Sequence, residues 1–140
     1  LATDAEATAS HVNGRMEALN DGILPDASSD ASAPRFTWWD RKGSEEWVAL
    51  TFPTTRRVTG VEVYWYDDAG RGQCRLPESW ELAWSADGET WVPVEKASGY
   101  GVHADIFNRA TFEPVNARAV RLTAQLREEH SAGILELRVV

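Results

Sequence analysis

The chain has 140 residues, 43% of them hydrophobic, enough for one domain with a real core and too few for two comfortable ones. A formal net charge of −8, from 22 acidic and 14 basic residues, opposes nucleic acid and anionic lipid, and the basic residues gather into no stripe. No apolar run approaches the roughly 20 residues of a membrane-spanning helix, and a single cysteine, Cys74, excludes an internal disulfide or a multi-thiolate metal site.

The first ten residues are small and polar and do not read as a secretory leader. A start at Leu1 reads as a processed chain or a piece of a longer one, and residues 1–140 as a single domain excised from a multidomain protein. Asn13 to Leu19 is expected to form a turn or two of helix with Met16 and Leu19 toward the core, too short to stand alone. Residues 21–36 form a long irregular loop rich in Asp, Ser, Gly and Pro. In the following Arg35-Phe36-Thr37-Trp38-Trp39-Asp40, an extended backbone sends the two indoles to opposite sides, one inward and one outward.

Trp47 to Phe52 reads as a strand ending at Pro53, and Thr54 to Arg57 as a polar turn. Val58 to Tyr66 alternates, with Val61, Val63 and Trp65 on one face and Glu62, Tyr64 and Tyr66 on the other. A second long loop covers residues 67–78. Trp80 to Trp84 alternates again and leads into the turn Ser85-Ala86-Asp87-Gly88-Glu89, with Asp-Gly at its tip. Trp91 to Val94 is the return strand, where Pro93 suggests an edge or a bulge. Ile106 to Phe112 is a strand stopped by Pro114. Arg118 to Leu126 turns Val120, Leu122, Ala124 and Leu126 inward, and Gly133 to Val140 closes the chain. Seven or eight short antiparallel strands with periodic turns predict an all-β sandwich or jelly roll.

Catalytic chemistry is poorly represented. His11, His103 and His130 lie in no metal-ligand spacing. Cys74 has Arg75 beside it, which is no base, and reads as a buried loop cysteine. Asp40 and the Asp67-Asp68 pair are the carboxylates that acid–base attack on a glycoside would need. A sandwich of this size offers a shallow surface rather than a cleft that excludes water, so the chain is read as non-catalytic.

The informative feature is aromatic and charged residues sharing long loops. The C–H face of a sugar packs on an aromatic ring, while its hydroxyls need planar donors and acceptors. Seven tryptophans in so small a domain cannot all be buried easily. The binding candidates are Trp38, Trp39, Asp40, Tyr64, Asp67, Asp68, Arg71, Arg75, Tyr100 and Asn108. Trp65 reads as core. Asp67 with Arg71 or Arg75 reads equally as an internal ion pair that fixes its loop.

The ordered segments resemble the discoidin-like, or F5/8 type C, domains of the galactose-binding-like fold. Ala7-Thr8-Ala9-Ser10-His11 resembles the family's opening strand and Leu19-Asn20-Asp21-Gly22 its early Asp-Gly loop. Trp47 to Phe52, Val58 to Val63, the Ser85 to Trp91 turn, Ala119 to Leu122 and Gly133 to Leu137 resemble later elements. The Trp-Trp-Asp and Tyr-Trp-Tyr-Asp-Asp segments are similar to modules appended to large bacterial glycosidases. The resemblance implies a jelly-roll-like sandwich of about eight antiparallel strands, serving as the carbohydrate-binding module of a secreted or cell-surface bacterial glycoside hydrolase. It implies loops at one end holding neutral sugars of galactose or arabinose type, and a domain that is monomeric in isolation. It also implies a structural calcium ion at Asp21 and Glu136, with Asp26 and Ser28 adding oxygens. The competing expectation is a docking module, in which Trp38, Trp39 and residues 67–75 pack against the parent's catalytic domain.

Overall fold

Alternating apolar and polar residues set the strands, and two prolines set where they bend. The computed structural model describes residues 3–140, so the first two residues of the expected domain lie outside the described residues. The strands are β1 (Glu6–Ala9), β2 (Asn13–Gly14), β3 (Phe36–Thr37), β4 (Glu45–Tyr66), β5 (Ser79–Ser85), β6 (Val92–Pro93), β7 (Asn108–Gln125) and β8 (Gly133–Val139), with one 3-10 turn at Met16–Asn20.

The breaks expected at Pro53 and Pro114 are bends inside continuous strands. β4 and β7 pair antiparallel from Glu45↔Gln125 to Val63↔Asn108, with register shifts between Thr51 and Arg56 and between Val58 and Gly60. Pro53 lies in the first irregularity, and Pro114 lies opposite the second. A proline has no N–H for the ladder, so each sits where the ladder is already interrupted. The polar segment Thr54–Arg57 is therefore a crossing rather than a turn.

That bending makes one continuous sheet into a sandwich. The first half of β4 and the second half of β7 lie with β1, β5 and β6. The second half of β4 lies with β8, β3 and β2. Val48, Leu50 and Phe52 from one layer, and Val61, Val63 and Trp65 from the other, meet in a single apolar core with Trp38, Trp80 and Leu122. The Trp65 and Trp80 rings pack edge-on at 5.9 Å. This is the antiparallel, galactose-binding-like β-sandwich expected.

The helix expected at Asn13–Leu19 is displaced. Asn13 and Gly14 pair with Thr37 and Phe36, and Arg15 is extended, leaving only Met16–Asn20 for a 3-10 turn that buries Ala18, Leu19 and Asn20. The 85–89 turn forms as read: Asp87 accepts from the Ser85 hydroxyl and from the Glu89 and Thr90 amides at 2.8–2.9 Å. β8 carries a bulge, because Tyr64 pairs with Glu136 but Trp65 with Ile134. The extra residue, Leu135, joins Tyr64, Tyr66 and Cys74 in a small second apolar cluster. Glu136 is left opposite Tyr64.

Candidate functional site

Residues 35–39 alternate across the sheet as an extended segment must. Phe36 and Trp38 are fully buried, with their rings edge-on at 5.3 Å, and Trp38 Nε1 donates to the Trp47 carbonyl at 3.3 Å. Arg35, Thr37 and Trp39 turn the other way and line a shallow pocket of about 270 Å³. Trp39 is half-buried, with the Lys42 ammonium 5.1 Å from its ring centroid. The opposite wall comes from Tyr66, Asp68 and Gln73, and Asn13 adds its side chain at the rim. The segments near positions 38 and 71 therefore meet, as the binding reading requires.

Close approach of these walls depends on Gly133. A Cβ there would lie 2.7 Å from the Phe36 carbonyl and 3.2 Å from the Tyr66 ring, so only glycine lets β3 and the end of β4 come together. Gly72 has the same role in the loop, where a Cβ would stand 2.7 Å from the Asp68 carboxyl carbon.

The 67–76 loop is held by its own charges. Asp67 accepts from the Ala69 amide at 2.9 Å and the Leu76 amide at 3.3 Å. Asp68 Oδ1 accepts from the Cys74 amide at 2.8 Å and lies 3.5 Å from Arg75, whose Nη1 also donates to the Gly72 and Cys74 carbonyls at 2.9 Å. Arg71 is exposed and donates to the Ser29 carbonyl at 2.5 Å. Asp67 and Arg75 are thus loop fasteners, and of the loop's charged residues Asp68 alone reaches the pocket. Cys74 is a buried part of the wall, and its thiol is pushed up to about 12, first by burial and then by Asp68.

Several binding candidates belong to the framework instead. Trp38 is core. Tyr64 is 5% exposed and packs edge-on against Phe107 at 5.1 Å. Asn108 is 3% exposed, its amide donating to the His103 carbonyl at 2.9 Å and its oxygen accepting from the His103 amide at 2.9 Å. Tyr100 is half-buried, its ring tilted against Trp80 with centroids 4.9 Å apart, and its hydroxyl accepts from the Leu82 amide at 3.3 Å. A buried ring or a fully bonded amide has nothing to offer a ligand, which closes off Trp38, Tyr64 and Asn108, and Tyr100 lies outside the pocket lining. Asp40 is exposed and lies outside the pocket lining. Arg35, Tyr66, Asn13 and Gln73 enter the site without having been singled out. The alternation that turned one indole outward also places Arg35 and Thr37 on the outer face.

A second set of oxygens surrounds Glu136, which is 1% exposed. Its Oε2 accepts from the Gly22 amide at 3.1 Å, while the buried Oε1 has no hydrogen-bond partner among the described residues. Burial pushes its carboxyl up to about 8, reinforced by the adjoining Asp21 carboxyl. Asp26 and Ser28 do not join this pair. Asp26 is exposed, Ser28 exchanges bonds with Asp105 at 2.8 Å through its amide and its hydroxyl, and no three acids converge among the described residues.

The fold is a galactose-binding-like sandwich with a shallow pocket between the 35–39 segment and the 67–76 loop. The chain belongs to the F5/8 type C domain family, whose match covers residues 5–137. No curated protein sequence matches it. Among known structures it is similar to a chain of the Streptococcus pneumoniae β-galactosidase BgaA, at 20% identity and a TM-score of 0.82, over 96% of this chain and 90% of that one. It is also similar to a Clostridium perfringens module solved with GalNAc-β-1,3-galactose, at 17% identity and a TM-score of 0.72, over 99% and 97% of the two chains. A third is the family 32 carbohydrate-binding module of Clostridium perfringens NanJ, solved with galactose, at 18% identity and a TM-score of 0.66, over 98% and 93%.

Proposed function

We propose that this domain binds carbohydrate at the Trp39 pocket, as an accessory module of a secreted or cell-surface bacterial glycoside hydrolase. The observation that supports this most directly is one half-exposed indole sharing a pocket with a guanidinium and a carboxylate. A galactose- or arabinose-type ring lays its C–H face on Trp39, and its hydroxyls take bonds from Arg35, Asn13 and Gln73 and give them to Asp68. A rigid loop suits that role, because the site loses little entropy when a ligand arrives. Titration calorimetry with neutral and acidic oligosaccharides, galactose- and arabinose-containing ones among them, tests the reading. Saturable binding lost in Trp39→Ala supports it, and no binding up to several millimolar rejects it.

The Asp21–Glu136 pair fits a calcium ion. A buried carboxylate oxygen without a partner beside a second carboxyl is a hard-oxygen donor set, short of the roughly six to eight ligands calcium takes, with backbone carbonyls to supply the rest. We propose that Asp21 and Glu136 hold the ion and that it serves structure, tying the loop after the 3-10 turn to β8.

A second reading, docking onto a neighbouring catalytic domain, draws on the adjacent Ile23 and Leu24, which are 48% and 60% exposed. Replacing both with serine in the full-length parent, then comparing melting temperature and activity, separates the readings. No change in either argues against docking.

A further inference from the structure

Arg35 is a cation whose hydrogen-bonding capacity is largely unused. The chain carries a net charge of −8, and acids neutralise Arg56, Arg75, Lys96, Arg109 and Arg138. No such partner reaches Arg35 among the described residues. Its guanidinium lies 5.1 Å from the Tyr66 ring centroid, and its hydrogen bond to the Ala31 carbonyl is long, at 3.5 Å. A guanidinium has five N–H donors in a planar fork, so most remain open toward the pocket.

The backbone beneath that side chain is fixed. The Arg35 carbonyl accepts from the Arg15 amide at 3.1 Å, and a Cβ on Gly14 would come within 2.7 Å of it. The next residue, Phe36, is fully buried in the core. Across the pocket Asp68 makes no ion pair with Arg35, and its Oδ1 is engaged by the Cys74 amide and Arg75. Lys42, over the Trp39 ring, is likewise without an ion pair among the described residues.

We propose that the sugar bound at this pocket carries a carboxylate, as a hexuronic acid does, and that Arg35 receives it; this rests on the carbohydrate reading above. A neutral ring closing over Arg35 strips water from a cation and returns no charge, which is costly. A carboxylate matches the planar fork through two parallel bonds. Galacturonate keeps the galactose-type ring of that reading and adds the charge.

The test is calorimetry of the domain with oligomers of galacturonate, glucuronate and mannuronate, each beside its methyl ester. The ester keeps the ring and removes the charge. Galactose 6-sulfate forms a separate arm. At least one acid should bind about 10-fold more tightly than its ester, a difference of about 1.4 kcal/mol. Arg35→Gln should bring acid and ester within about twofold, the acid losing at least about 5-fold more affinity than the ester, and Arg35→Lys, which keeps charge without the fork, should fall between. Trp39→Ala should abolish both. Equal binding of acid and ester, or tighter binding of the sulfate, overturns the uronate proposal while leaving carbohydrate binding intact. No binding in any arm, or binding indifferent to Trp39→Ala, overturns the carbohydrate reading itself.

Discussion

Trp38 and Trp39 are consecutive residues whose indoles lie on opposite sides of the sheet. Trp38 has no exposed surface and donates its ring N–H to the Trp47 carbonyl, while Trp39 stays half-open under Lys42. The two substitutions should therefore separate stability from binding. Trp38→Ala empties a core site and should cost about 3–5 kcal/mol, read as a lowered denaturant midpoint. Trp39→Ala should change stability by less than about 1 kcal/mol and weaken glycan binding at least about 10-fold. Equal destabilisation by both would mean that Trp39 is a framework residue and the pocket has no platform.

This pair also marks how far the residue pattern carries. Period-two alternation is a local property, so the inward and outward faces of 47–52, 58–66 and 118–126 could be read from the chain. The continuity of β4 and β7 could not, because a proline that ends a strand and one that bends it look alike until the partner's register is known. The same limit applied to the site. Tyr64 and Tyr100 carry the right chemistry for sugar, but Phe107 and Trp80, which engage them, come close only through tertiary packing, and Asn108 is spent on the backbone of its own loop at His103. Leu135 closes over Tyr64 because of a bulge in β8, which no spacing rule announces.

Calcium should raise the melting temperature. At a free concentration of about 100 times the dissociation constant the gain is about 2.7 kcal/mol. Glu136→Gln exchanges the buried carboxyl for a neutral amide of the same shape. The variant should lose the calcium response while staying close to wild type in chelator at pH 7, since burial already favours the neutral form of Glu136 there. Asp26→Ala should keep the response, because Asp26 lies apart from the pair. Identical melting curves for wild type in calcium and in chelator would rule out a metal at this site.

The Cys74 thiol forms part of the pocket wall yet should be chemically inert. With its ionisation pushed up to about 12, only about one thiol in 10⁴ is thiolate at pH 8, and the thiolate is the reactive form. Iodoacetamide at pH 8 should label native protein at least about 100-fold more slowly than protein unfolded in guanidinium. Labelling at one rate in both states would show that the wall opens readily, and the rigid loop on which the binding argument depends would be lost. Glycan binding should likewise be unchanged by thiol reductants.

The Asp87 turn gives a prediction in pH. Amides of Thr90 and Glu89, with the Ser85 hydroxyl, hold its carboxyl down at about 2, below an ordinary value of 3.8. A carboxylate depressed on folding stabilises the native state above its unfolded value, and that contribution disappears as pH falls through the folded value. Asp87→Asn should therefore lower the melting temperature by a few degrees at pH 7, and the gap to wild type should close between about pH 4 and pH 2. Because the group is exposed, solvent screening keeps the effect small. A gap that persists unchanged at pH 2 would trace the loss to the shape of the amide rather than to charge. Since the β5–β6 hairpin contributes no residue to the Trp39 pocket, glycan affinity at pH 7 should be the same in Asp87→Asn and wild type.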